Sequence, residues 1–321
     1  MARIHLIDGE KGGVGKSLFT GVLIQYFLDK GFPFVAVEAD RTNNDVATRY
    51  KAYVLEKSTL KKTQQNQESD DYLFEFATYS EDEKKTEANH LFELALLKPV
   101  VVNLPSQVAN PLNEWIDAAL VDAAEYGVEL VRWFITSGSY ESLHLFHKVL
   151  DKHGGKYSQI LVKNLGIGDD WSELEPSDTP SSGEASTTEV FDSSDSDSDV
   201  EASEVPDQAV NEELDLDTIK SAQEPTAEGK KSRKRKSNKK NTGSLVGNEE
   251  TLPQLIKKYS VFVIEFPKLP SFERNKLQKL NLTFGAALEA GNKNIQIMSK
   301  SKIKLFLKSA YEAIESTGLV P

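Results

Sequence analysis

Residues 4–31 read IHLIDGEKGGVGKSLFTGVLIQYFLDKG, and three segments meet there. Ile4–Ile7 is a short apolar run that stops at a glycine-rich turn, the pattern of a buried strand. Ser17–Lys30 carries Leu18, Val22, Ile24, Phe27 and Leu28 at mostly helical spacing, and Gly31 follows as a helix stop. Between them lies GEKGGVGKS, Gly9–Ser17. Glycines let a backbone curl until successive N–H groups point at one anion. A helix beginning near Lys16 adds the positive end of its dipole. The spacing predicts a phosphate-binding loop, in which Lys16 reaches the β- and γ-phosphates and the Ser17 hydroxyl ligates Mg²⁺. Phosphate and water would supply most of the other Mg²⁺ ligands. The candidate cofactor-binding residues here are Gly12, Gly13, Val14, Gly15, Lys16, Ser17 and Leu18. The strict pattern G-x-x-x-x-G-K-[ST] fails at its first position, where Glu10 stands.

Outward from the loop, strands and helices alternate. Phe34–Ala39 reads as a second strand and Tyr72–Phe76 as a weaker one. Pro99–Leu104, with three consecutive valines, Glu129–Thr136, Gln159–Lys163 and Val261–Phe266 complete the strands. Helices are expected over Glu83–Leu97, Pro111–Tyr126, Ser139–His153 and Lys302–Ser316. Near-continuous apolar strands separated by helices argue an α/β fold, a doubly wound and mostly parallel sheet covered on both faces. The stripe Ile303, Phe306, Leu307, Ala310, Tyr311 and Ile314 in the last helix reads as packing on that sheet rather than on a membrane.

The chain has 321 residues and a net charge of −12, but the acidity is local. Asp169–Asp217 holds 18 acidic residues and no Lys or Arg, and Lys230–Lys240 is the basic run KKSRKRKSNKK. Without Asp169–Glu250 the remainder has a net charge of +1. Such a segment offers too little apolar surface to offset the ordering of its chain, about 1–2 kcal/mol per residue. It reads as a disordered acidic-then-basic insert, residues 169–250, in one domain made of residues 1–168 and 251–321. The basic run is a candidate for non-specific contact with DNA phosphates. With no Cys, disulfides, thiolate nucleophiles and Cys-ligated metals are excluded. No apolar run approaches a membrane span of about 20 residues. The expectation is a soluble, cytoplasmic protein. His144 and His147 stand three apart on a predicted helix, with no third metal ligand apparent nearby.

Lys11–Ser17, KGGVGKS, has a second lysine five residues before Lys16, and it resembles the deviant Walker A loop of the MinD/ParA superfamily of P-loop ATPases. The resemblance covers most of the chain outside 169–250. It implies ATP and Mg²⁺ as cofactors and an ATP-dependent homodimer, in which Lys11 crosses the interface to the partner's nucleotide. In Glu38-Ala39-Asp40 it assigns Asp40 to orienting the attacking water and Glu38 to the water shell of Mg²⁺. Catalytic residues are then Lys11, Lys16 and Asp40. Asn103 stands where the superfamily has Asp and would reach Mg²⁺ through water. A neutral amide cannot act as a base, so slow or partner-stimulated hydrolysis is implied. Asn164 and Pro267 match residues that border adenine. Together with VEADRTNNDV (Val37–Val46) and VVVNLPSQ (Val100–Gln107), the loop is most similar to plasmid mobilisation and conjugal-transfer ATPases. That implies a DNA-processing partner of relaxase type. The alternatives are an ATP-binding scaffold without hydrolysis, a MinD-like membrane positioning ATPase, and a small-molecule ligase of the same fold.

Overall fold

The computed structural model describes residues 2–9, 11–65, 70–80, 87–175 and 250–321. Glu10, the insert beyond Glu175 and the basic run Lys230–Lys240 lie outside the described residues. Seven strands form one sheet: β1 (Arg3–Asp8), β2 (Phe34–Glu38), β3 (Tyr72–Phe76), β4 (Val100–Asn103), β5 (Glu129–Thr136), β6 (Ser158–Asn164) and β7 (Phe262–Phe266). Their order is β3-β2-β4-β1-β5-β6-β7, and every pairing is parallel. Chain from both sides of the undescribed segment therefore enters one sheet, through the β6–β7 pair.

Helices α1 (Lys16–Lys30), α2 (Asp45–Gln65), α3 (His90–Leu97), α4 (Ala109–Tyr126) and α5 (Tyr140–His153) connect the first six strands. After the undescribed segment come α6 (Leu252–Lys258), α7 (Ser271–Lys279), α8 (Phe284–Leu288) and α9 (Ile297–Glu315). Alternate strand residues face opposite ways, as the pleat requires. Ile7, Ala36, Val101, Trp133 and Val162 face a core built with α1, α2, α8 and α9. Leu6, Val35, Val37, Val100 and Val102 face α3 and α4, while Phe134 and Leu161 face α5 and α6. Both faces are covered, so the inner strands β2, β4, β1, β5 and β6 are buried along nearly their whole length and lack polar alternation, while the edge strands β3 and β7 keep exposed positions.

Three local readings change. Of the helix expected over Glu83–Leu97, residues 83–86 lie outside the described residues, and the described part is helical only from His90. Glu87 is held in non-helical chain because its N–H donates to the Thr78 carbonyl at 2.8 Å and its carboxylate takes the Thr78 hydroxyl and Arg41. The last helix starts at Ile297, five residues earlier than its apolar stripe indicates. Helix α2 was not anticipated; its buried residues Val46, Tyr50 and Val54 recur every fourth position amid charged neighbours. The stripe of α9 packs inward, with Ile303, Phe306, Leu307, Ala310 and Ile314 buried and Tyr311 partly so. Among the described residues, no helix is long and apolar enough to cross a membrane.

Candidate functional site

β1 and β4 are adjacent, but their chains leave to opposite sides of the sheet. A crevice at the carboxyl ends of the strands is the usual outcome of that reversal. A cleft of about 650 Å³ opens there. Its walls include Gly12, Gly13, Gly15, Lys16, Ser17 and Leu18 of the loop and α1, Asp40 after β2, Ser106 and Gln107 after β4, Asn164 at the end of β6 and Pro267 after β7.

The loop is shaped as its glycines predict. Gly15 caps α1 at φ 101°, a left-handed conformation that side chains rarely adopt. A Cβ at Gly15 would lie 2.4 Å from the Asn164 amide nitrogen, so glycine is required for space as well. Val14 is buried behind the loop and not on the cleft wall. The Lys16 ammonium donates to the Gly9 carbonyl at 2.9 Å and to the Ser106 hydroxyl at 2.8 Å. It is folded back over the loop, at the mouth of a cavity lined by glycine backbone.

Asp40 is buried but reaches the cleft wall. Its Oδ1 accepts from the N–H groups of Thr42 and Asn43 and from the Thr42 hydroxyl, which fixes the turn after β2. Glu38 and Asn103 are placed differently: neither lines the cleft. Glu38 is fully buried, and its Oε2 accepts the N–H groups of Val46 and Ala47 at 3.1 and 3.0 Å. That satisfies orphan donors in the first turn of α2. The Asn103 amide donates to the other Glu38 oxygen at 2.7 Å and accepts from the Thr20 hydroxyl at 3.0 Å. β2, β4, α1 and α2 are thus tied by one buried chain of side-chain hydrogen bonds. Burial raises the Glu38 carboxyl above the ordinary carboxylate range, against the bonds from Asn103 and Ala47 that favour its charged form.

Asn164 lines the cleft with its amide already engaged. It donates to the Val14 carbonyl at 2.8 Å and accepts from the Gly166 N–H at 3.0 Å. One amide hydrogen and one oxygen lone pair remain for a ligand. Lys11 does not line the cleft; its ammonium pairs with Glu141 on the first turn of α5 at 2.8 Å, both side chains being exposed. His147 meets the Asp151 carboxylate and the Glu250 carbonyl.

Sequence reasoning missed half of the cleft. Arg49 and Tyr50 on α2, Arg274 and Gln278 on α7, and Leu282 and Phe284 line its outer part. The Arg274 N–H donates to the Pro270 carbonyl at 3.0 Å, but its guanidinium makes no hydrogen bond or ion pair among the described residues. Tyr50 closes on α1 at Gly21, where a Cβ would lie 2.9 Å from its ring. The four-residue spacing of Val46, Tyr50 and Val54 was the available signal for that wall. Nothing in the sequence brings α7 to it. Ser106 follows Pro105 at the end of an apolar strand, a signal legible as a loop but not as a lysine partner.

No family model matches the chain. A stretch of 48 residues, 15% of the chain, is 46% identical to Protein MobD of Acidithiobacillus ferrooxidans and spans 21% of that protein. A nucleotide-binding protein from Archaeoglobus fulgidus, solved in complex with ADP, is similar over 51% of this chain and 66% of its own, with 14% identity and a TM-score of 0.27. The chain thus matches less than two thirds of the length of either protein.

Proposed function

We propose that this chain binds a nucleotide, ATP with Mg²⁺, and works as an ATP-dependent dimerisation switch of ParA/MinD type in plasmid mobilisation, transfer or partition. The observation that carries the reading is the Lys16 ammonium, poised between Gly9 and Ser106 at a loop of glycines that opens an elongated cleft. The local similarity to MobD supports the mobilisation context. The Ser17 hydroxyl and the Asp40 carboxylate lie on the same cleft, where Mg²⁺ on the phosphates would need them. Among the described residues no group of three His, Cys, Asp or Glu could hold a metal. Mg²⁺ bound this way would draw its other ligands from phosphate and water, with Ser17 as the protein's own contribution.

Hydrolysis would rest on Asp40, whose Oδ1 is fixed by the turn. Asn103 is committed to Glu38 and Thr20, so the ATP-binding scaffold without turnover is the second reading. Isothermal titration of the wild type and Lys16→Ala with ADP and MgATP tests the first step. A charge-assisted bond to phosphate contributes about 1.5–3 kcal/mol, so the variant should bind at least roughly tenfold more weakly. Equal affinities would remove the phosphate-loop assignment.

A further inference from the structure

The strand that feeds the loop ends on a buried ion pair. Asp8, the last residue of β1, is fully buried, and its Oδ2 accepts from the Arg132 Nε at 2.8 Å and from the Arg132 Nη2. Arg132 is 1% exposed on β5 and donates through Nη1 to the Tyr157 hydroxyl at 3.2 Å. The other oxygen of Asp8 is buried with no hydrogen-bond partner among the described residues.

Stability does not account for this pair. Burying two ions costs several kcal/mol each, and apolar residues of similar volume in their place are often neutral or stabilising. What the pair adjoins is the phosphate loop. Asp8 is bonded to Gly9, whose carbonyl accepts from the Lys16 ammonium. A carboxylate left unpaired there would also repel the anion that the loop is shaped to bind. Arg132 removes that charge and, through two donors on one oxygen, fixes the rotation of the Asp8 side chain.

We propose that Asp8 and Arg132 are positioning residues for the phosphate loop, holding Gly9 in place from the sheet side while Lys16 is held from the cleft side. The proposal rests on the nucleotide-binding reading for its ligand but not for its geometry. The test is the double variant Asp8→Leu/Arg132→Met, measured for ADP affinity, thermal unfolding and amide exchange in nucleotide-free protein. The expected result is a melting temperature near that of the wild type, ADP binding weaker by roughly tenfold, and loop amides between Gly9 and Gly15 exchanging roughly tenfold faster while β2 and β3 are unchanged. A merely structural pair would not move the loop alone. If the double variant does not fold, Tyr157→Phe carries the same readouts, with smaller changes of about threefold expected from loss of one hydrogen bond. A folded variant with unchanged loop exchange overturns the proposal. A wild type that binds no ADP, with loop exchange still responding to the pair, would sink the nucleotide reading and leave the positioning role standing.

Discussion

Replacing Asn103 by Asp restores the residue that the superfamily resemblance leads one to expect, yet the structure predicts damage. The Asn103 Nδ2 lies 2.7 Å from Glu38 Oε1, and both residues are buried. A carboxylate at position 103 would put two acceptors at that distance with no donor between them. At about 3 Å and an effective dielectric near 20, two unit charges repel by roughly 5 kcal/mol, so both cannot stay ionised. The pair must then take up one proton and titrate as a unit. Holding that proton at about pH 7, against an unfolded Glu of about 4.3 and ~1.4 kcal/mol per pH unit, costs up to roughly 3–4 kcal/mol. That is a large share of the roughly 5–15 kcal/mol typical of a whole domain's stability. The sign follows from linkage. The shared proton has a folded pKa raised above its unfolded value, so its stabilising contribution is full at low pH and is lost as pH rises. Urea unfolding of both proteins at about pH 5 and about pH 7.5 should show a deficit that grows with pH, from roughly 1 to as much as roughly 4 kcal/mol. The reversed pair, Glu38→Gln with Asn103→Asp, should recover part of the loss by supplying a donor again. An Asn103→Asp protein as stable as wild type at both pH values would refute the reasoning.

Asp40→Ala should keep ATP binding and abolish turnover, read by titration and by phosphate release; a turnover rate that the substitution leaves unchanged would refute the carboxylate's role. Sedimentation with MgATP should give a dimer for the wild type and a monomer with ADP, and Lys11→Ala should stay monomeric on ATP while binding it normally. Because Lys11 is paired with Glu141 on an exposed surface, Glu141→Gln should favour the ATP dimer by no more than a few-fold. A larger effect, or dimerisation that survives Lys11→Ala, would place the interface elsewhere.

The sheet was legible because its strands are short apolar blocks such as Val100–Val102 and Phe134–Ile135, buried on both faces. The shape of the Gly9–Ser17 loop was legible because glycine spacing is itself the geometry: Gly15 caps α1 in a left-handed conformation. What the sequence did not disclose is set by contacts between distant segments. The Glu38 side chain points away from the cleft because α2 presents unsatisfied N–H groups to it, and α2 carries too weak an apolar pattern to be placed beforehand. The same holds for Arg274, which lines the cleft from α7, an element that follows the edge strand β7 and packs on α9.

These placements change how a carboxylate next to a phosphate loop is to be read. Glu38 and Asp40 are two residues apart, and at a strand end that spacing brings both side chains near the same crevice. Here their hydrogen bonds divide the work. Glu38 is drawn beneath α2, and by capping that helix it holds Arg49 and Tyr50 in the outer wall. Asp40 folds its own turn with one oxygen and lies on the cleft wall. Asn103 is then suited to its position by donor count rather than by catalysis: a buried carboxylate that already accepts three backbone N–H groups needs one more donor beside it, and an amide that also takes the Thr20 hydroxyl supplies it without adding charge. The departure from the resemblance at 103 and the Glu at 38 are therefore one feature. The first can be tested only with the second held in view, which is why the reversed pair belongs beside the single Asp in tests of turnover as well as of stability.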